Sequence, residues 1–271
     1  MRIPTLLLCL PALVAAQDAQ EIIRRALAHD AANTAASLQY TYMEQLEVRT
    51  FEGGGKYKTR QKEVHDVTLL EGSPFRRTVS RDDKPLPPKD EEKEQERLRK
   101  SIEDRKRETP EQKQQRIVEW KRKQEHQHEP LTEIPDGFFL KLAPDDIIDG
   151  HPAWVVDATP KPGYKPKAKG SFFLPKVKIR LWIAKSDDQC IRAEFETLDT
   201  ISWGGIIARV SKGVHLRIEL TRVNDEVWLP RQILLTGSAR VLLVKGFTGD
   251  VNLTYSGYKK FVAESRVITA Q

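Results

Sequence analysis

"KVKIRLWIAKSDDQCIRAEFE", residues 176–196, alternates apolar and charged side chains on both sides of the polar turn "SDDQ". Val177, Ile179, Leu181 and Ile183 share one face, and Ile191, Ala193 and Phe195 continue it, opposite Lys178, Arg180, Arg192 and Glu194. A period of two on either side of a turn is a half-buried β-hairpin. The pattern recurs in "VHLRIELTRVNDEVWLPRQILL", residues 214–235. There Val214, Leu216, Ile218 and Leu220, then Val227 and Leu229, repeat the apolar face across an Asn224-Asp225 turn. Trp182 and Trp228 fall on the charged side, where they are expected to stack under Arg or Lys stems or to lie beneath the helical insert.

Outward from this hairpin the same period continues. In "LQYTYMEQLEV", residues 38–48, Leu38, Tyr40, Tyr42, Leu46 and Val48 share a face that only Glu44 interrupts. The glycine turn "FEGGGKYK" leads to a returning strand over Tyr57 to Leu70, with a third at Arg76 to Ser80. Asp149-Gly150 between two β-prone runs predicts a hairpin, and Arg240 to Val244 and Val251 to Tyr255 close the series. "WGGIIARVSKG" is left unassigned. Roughly eleven strands joined by short turns predict a mainly β, α+β fold with a meandering antiparallel sheet. So long a sheet must curl, because twisted open sheets rarely exceed ~10 strands. The expected result is a curved, unclosed barrel covered by an N-terminal helix and a helical insert.

That helix is predicted over 18–31, from the stripe Ile22, Ile23, Ala26 and Leu27. The insert, about 87–129, is dominated by Glu, Lys, Arg and Gln. In it Thr109 as N-cap, Pro110 as first helical residue and Gln112 as reciprocal cap divide two helices. With so few large apolar residues, neither is expected to be a core element.

"MRIPTLLLCLPALVAAQ" reads as a secretory signal peptide over residues 1–16, since it carries one early Arg, a short apolar run and small residues at the exit. Its run is too short for the roughly 20 residues that span a bilayer. The remaining chain, 17–271, is expected to form a single domain whose one cysteine, Cys190, has no disulfide partner. A net charge of +6, or +5 without Arg2, is a mild basic bias.

Catalytic patterns are sparse. His65 and His215 sit singly on the polar side of strands, and His126 and His128 in "EHQHE" point apart on a helix, as a solvated helix end. No nucleophile elbow or phosphate-binding loop is present, and Cys190 follows acidic rather than basic neighbours. The insert interleaves acids with its bases, which argues against nucleic acid. Periodicity by itself leaves open whether the apolar face packs solidly or lines a cavity.

The signal peptide and helix, "LQYTYMEQLEV", "GHPAWVVDATP" (150–160), "KIRLWIAKSDDQCIRAEFE" (178–196) and "VNDEVWLPRQILL" (223–235) together resemble the outer membrane lipoprotein-sorting, LolA-like family and its LolB and RseB relatives. The resemblance implies a periplasmic, monomeric, non-enzymatic carrier or chaperone. Acyl chains of lipoproteins or lipids would enter a hydrophobic half-barrel for outer-membrane delivery, with no cofactor, metal or covalent step. Its cavity wall would include Leu181, Ile183, Ile191, Phe195, Leu216, Ile218 and Leu229. The large insert and the basic loop "KPGYKPKAKG" (161–170) depart from a simple carrier. They raise a second expectation: a recognition or envelope-stress module that contacts an inner- or outer-membrane protein through the insert.

Overall fold

The computed structural model describes residues 10–52, 56–203, 208–241 and 246–261. Helix α1 (Leu10–Ser37) leads into strands β1 (Tyr40–Phe51), β2 (Tyr57–Leu70), β3 (Ser73–Arg81) and β4 (Lys84–Pro85). Helices α2 (Pro88–Lys106) and α3 (Pro110–His128) follow, and a short helical passage returns the chain to β5 (Phe138–Ile148) and β6 (His151–Pro160). Then come β7 (Val177–Ala184), β8 (Cys190–Thr197), β9 (Ile201–Trp203), β10 (Ala208–Val210), β11 (His215–Val223), β12 (Val227–Val241) and β13 (Phe247–Lys260). The start of the predicted signal peptide, residues 1–9, lies outside the described residues, as does most of the strand predicted over Arg240 to Val244. Among the described residues no helix is long and apolar enough to cross a membrane.

Among the described residues the strands make one 13-stranded sheet, in the order β4-β3-β2-β1-β13-β12-β11-β8-β7-β6-β5, with β9 and β10 branching from β12. Its pairings are antiparallel, and the two ends do not meet, so the sheet is an unclosed barrel. The predicted meander is broken at its centre, where β1 pairs with β13. Tight turns follow their chemistry: Asp149 (φ 49°) with Gly150 (φ 83°), and Asn224 (φ 51°) with Asp225 (φ 54°). The expected capping box starts α3, with Thr109 and Gln112 bonded reciprocally.

Two apolar rows cross eight strands on one face. Leu140, Ala158, Ile179, Phe195, Leu216, Leu235, Val251 and Val48 stand side by side. Leu142, Val156, Leu181, Ala193, Ile218, Ile233, Leu253 and Leu46 form the neighbouring row. Ala19, Ile22, Ile23 and Ala26 of α1 cover the β6–β7 end of these rows, where Val156, Ala158, Ile179 and Leu181 are buried. From Leu216 and Ile218 onward the rows are only half-buried.

The helix runs six residues beyond the predicted end at 31, because a helix-favouring alanine-rich stretch continues and Asn33 fastens it. Asn33 Nδ2 donates to the Trp228 carbonyl and its Oδ1 accepts from the Trp228 amide, both at 2.8 Å. Trp182 and Trp228 do sit near Arg192 and Arg222, as the pattern suggests. They are nevertheless buried with Ile148, Ala153, Val155 and Ala184 in a second apolar cluster, so the opposite face is not simply charged. Ile191 belongs to that cluster as well. The pairing of β7 with β8 shifts after Trp182, so that Cys190, not Ile191, faces Ile183. A bulge turns the next side chain to the other side.

The insert closes the β3 edge of the sheet. Arg105 Nη1 donates to the carbonyls of Leu70 (2.6 Å) and Ser73 (2.9 Å), and its Nη2 to that of Pro74 (3.2 Å). Arg97 reaches the Arg76 carbonyl, and Glu94 accepts from the Thr78 amide at 3.2 Å. Side chains thereby occupy backbone groups that an edge strand would offer to another chain. Gly72, at φ 85°, lets α3 dock on the β2–β3 turn, since a Cβ there would lie 2.8 Å from Ile117. The basic loop 161–170 is held by Glu133, whose carboxylate accepts from Tyr164 Oη (2.6 Å) and the Lys167 (2.8 Å) and Ala168 (2.9 Å) amides. Burial alone would raise the Glu133 carboxyl, but these bonds hold it down at about 2.

Two outcomes follow. Replacing Arg105 with Leu leaves three carbonyls without their donor, with an expected loss of about 2–3 kcal/mol in denaturant melts and a rise in aggregation. The Glu133 carboxylate contributes stability that is complete above its ordinary value of 4.5 and is lost as pH falls towards about 2. Acid unfolding of Glu133→Gln should lack that component, whereas an unchanged acid limb would remove Glu133 from this role.

Candidate functional site

Between α1, α3 and the sheet lies a cavity of about 1030 Å³. The α1 wall offers Leu27, Ala31 and Ala35, with Leu38 just past its end; the α3 wall offers Ile117, Trp120 and Gln124. Leu69, Leu131 and Phe261 complete the apolar lining, and Asp30, Lys121, Glu125, His128, Glu129 and Lys260 stand among the lining residues as well. A narrower compartment of about 350 Å³ shares Leu38, Leu69, Trp120 and Gln124 with it. Its floor is tyrosine-rich: Tyr40 and Tyr42 of β1, Tyr255 and Tyr258 of β13, with Val67 and Leu229. Tyr42 lies 5.6 Å, ring to ring, from both Tyr255 and Tyr258. The pairing of β1 with β13 is what assembles this floor from the two ends of the chain.

The helices are tied across the cavity by charge. His128 Nδ1 of α3 lies 2.7 Å from Asp30 Oδ2 of α1, and this hydrogen bond raises the imidazole above its ordinary 6.5. Asp30 also accepts from Gln189 Nε2 at 3.4 Å, and Arg25 bonds Asp188 at 3.1 Å, so α1 is tied to the β7–β8 turn. His126 is the solvated histidine expected of a helix end; His128 is not. His65 departs from the sequence reading too. It is 5% exposed, bonds Thr78, and burial pushes it below its ordinary value.

Among the predicted wall residues, Leu181 and Ile183 are packed in solid core beneath α1. Phe195, half-buried, packs against that core, Leu216 and Ile218 lie half-buried on the same face, and Phe195 and Leu216 are among the residues lining a second hollow. Ile191 lies on the opposite face, and only Leu229 of the seven lines the cavity, at its narrow end. Sequence reasoning passed over Ile117, Trp120 and Gln124. Their spacing of three and four places them on one helical face, a weak signal in so polar a helix. The second hollow, of about 890 Å³ on the charged face, is walled by Lys141, Asp157, Arg180, Glu194 and Arg217, with Arg180–Asp157 and Arg217–Glu194 paired. Burial pushes the Cys190 thiol up to about 12, which leaves it protonated near neutral pH. Among the described residues no cluster of three His, Cys, Asp or Glu side chains is arranged to hold a metal.

No family model and no curated protein matches the chain. Among solved structures it is similar to an outer membrane lipoprotein-sorting type domain from Vibrio parahaemolyticus, at 10% identity over 88% of this chain and 93% of that one, TM-score 0.37. A DUF1329 family protein from Desulfovibrio piger is similar at 11% identity over 93% and 95%, TM-score 0.33. A LolA superfamily protein from Nitrosomonas europaea is similar at 13% over 89% and 93%, TM-score 0.30. With TM-scores below 0.5 these likenesses decide nothing about ligand or partner; the geometry of the cavity has to.

The His128–Asp30 link makes one feature of the cavity titratable. Because the imidazole is raised in the fold, its contribution is complete below pH 6.5 and is lost as pH rises through the raised value. Hydrogen exchange near the end of α3 should therefore accelerate with pH beyond its intrinsic increase. His128→Gln should abolish the effect and cost about 0.5–1 kcal/mol at pH 6, a modest figure because the pair is partly exposed.

Proposed function

We propose that this chain is a periplasmic, non-enzymatic carrier or chaperone that takes up acyl chains of lipoproteins or lipids between α1, α3 and the sheet for delivery to the outer membrane. The observation that carries this reading is the cavity itself: about 1030 Å³ of space beside a second, tyrosine-floored compartment, with Leu, Ala, Ile and Trp side chains forming its apolar walls among polar and charged groups. Each methylene buried there gains ~0.8 kcal/mol, which suffices for binding without any catalytic group. The arrangement of the insert favours this over a purely external recognition role. Its Arg97, Arg105 and Arg116 are engaged on the β2–β3 edge and its Trp120 face forms the cavity wall.

Native mass spectrometry of residues 17–271 from a Gram-negative periplasm, with lipid extraction, is the direct test. A bound lipid or lipopeptide is expected, and a delipidated protein that ignores a fluorescent fatty-acyl probe would end the proposal. Ala35→Glu places a carboxylate on the exposed side of α1 that lines the cavity. It should weaken probe binding at least about tenfold, through the cost of burying a charge beside hydrocarbon, with the melting temperature unchanged.

A further inference from the structure

The cavity changes character where its two compartments meet. Trp120 and Gln124, one turn apart on α3, line both parts, and Tyr42 and Tyr255 line the narrow part from β1 and β13. The neighbouring tyrosines are already engaged: Tyr40 Oη donates to Glu226, and Tyr258 Oη donates to the Pro230 carbonyl. Among the described residues the Tyr42 and Tyr255 hydroxyls, the Trp120 indole N–H and the Gln124 amide have no hydrogen-bond partner within the protein.

A wall made only for hydrocarbon gains nothing from four such groups. Any chain that displaces water from them without replacing its hydrogen bonds incurs about 1–3 kcal/mol for each group left unpaired. All four can donate, and the Trp120 indole can do nothing else, so an acceptor atom is the one ligand group that every one of them can bond. Its charge is set by the surroundings. Glu44, which pairs with Tyr255 across β1 and β13, is joined by Arg76 in an ion pair, so no net charge faces this end of the cavity. The narrow compartment has no charged lining residue, and Lys121 and Lys260 of the wide one stand among Asp30, Glu125 and Glu129, so a carboxylate or phosphate meets no surplus of positive charge; a carbonyl oxygen needs none.

We propose that the junction of the two compartments is a polar subsite for the neutral ester or amide carbonyl at the head of an acyl chain, the hydrocarbon lying in the wide compartment. This rests on the acyl-binding reading above and specifies its ligand class. Diphenylhexatriene, a pure hydrocarbon, reports the apolar compartment alone, and monopalmitoylglycerol and palmitate compete for it with an ester or a carboxylate head.

Fluorescence titration of residues 17–271 below the aggregation concentration of each lipid should show the ester displacing the probe at about tenfold lower concentration than the acid. Tyr42→Phe with Tyr255→Phe keeps both rings and should weaken the ester about tenfold while leaving probe affinity unchanged. Gln124→Leu, on a different element, should act in the same direction. Equal displacement by ester and acid, or an ester affinity indifferent to these variants, overturns the subsite and leaves acyl binding standing. Failure of the hydrocarbon and both lipids to bind the unmodified protein overturns both.

Discussion

A sheet that does not close leaves backbone amides and carbonyls at its ends without a strand to pair with, and satisfying them governs much else in this molecule. At the β3 end Arg97 and Arg105 supply donors and Glu94 an acceptor, so two highly charged helices become structural members of a β fold. Their charge has a local use. A helix pair with almost no apolar residues cannot dock by hydrophobic burial, but it can dock by placing guanidinium groups on carbonyls. Once α2 is fixed there, α3 is brought back over the sheet opposite α1, and the space between them is the cavity.

The polar bonds also set which parts of the apolar face are solid. Where α1 lies on β6 and β7 the face is packed, with Ala19 and Ile183 both fully buried. Farther along the same rows no described helix covers Leu216 or Ile218 to that degree. The alternation of apolar side chains is the same in both places. Covering element, not composition, separates core from wall.

The difference explains what was legible in the sequence. Local chemistry was readable: Asp149-Gly150 and Asn224-Asp225 adopt the positive φ that their turns require, and Thr109 with Gln112 caps α3 as their spacing suggests. Non-local geometry was not. Nothing near Tyr42 signals that it will face Tyr255 two hundred residues later, yet that pairing builds the cavity floor. Ile191 alternates correctly with Ala193, but a shift at Cys190 sends it to the other face. Periodicity predicts a face only while register holds. Of the seven residues chosen as a wall, Leu229 reaches the cavity beneath α3, Phe195 and Leu216 reach the second hollow, and the register shift sends Ile191 to the opposite face.

Helix α3 is held near both ends of its passage over the cavity. Ile117 nests on Gly72 at the β2–β3 turn, and His128 reaches Asp30 of α1. A helix rises about 1.5 Å per residue, so these attachments lie roughly 16 Å apart along its axis. An α-helix resists stretching, and α3 consequently behaves as a ruler. The distance it spans is recorded as a number of residues in the sequence, and inserting or removing one turn would lengthen or shorten the enclosed space by about 5.4 Å. Through that spacing the chain writes the length of its cavity in helical turns.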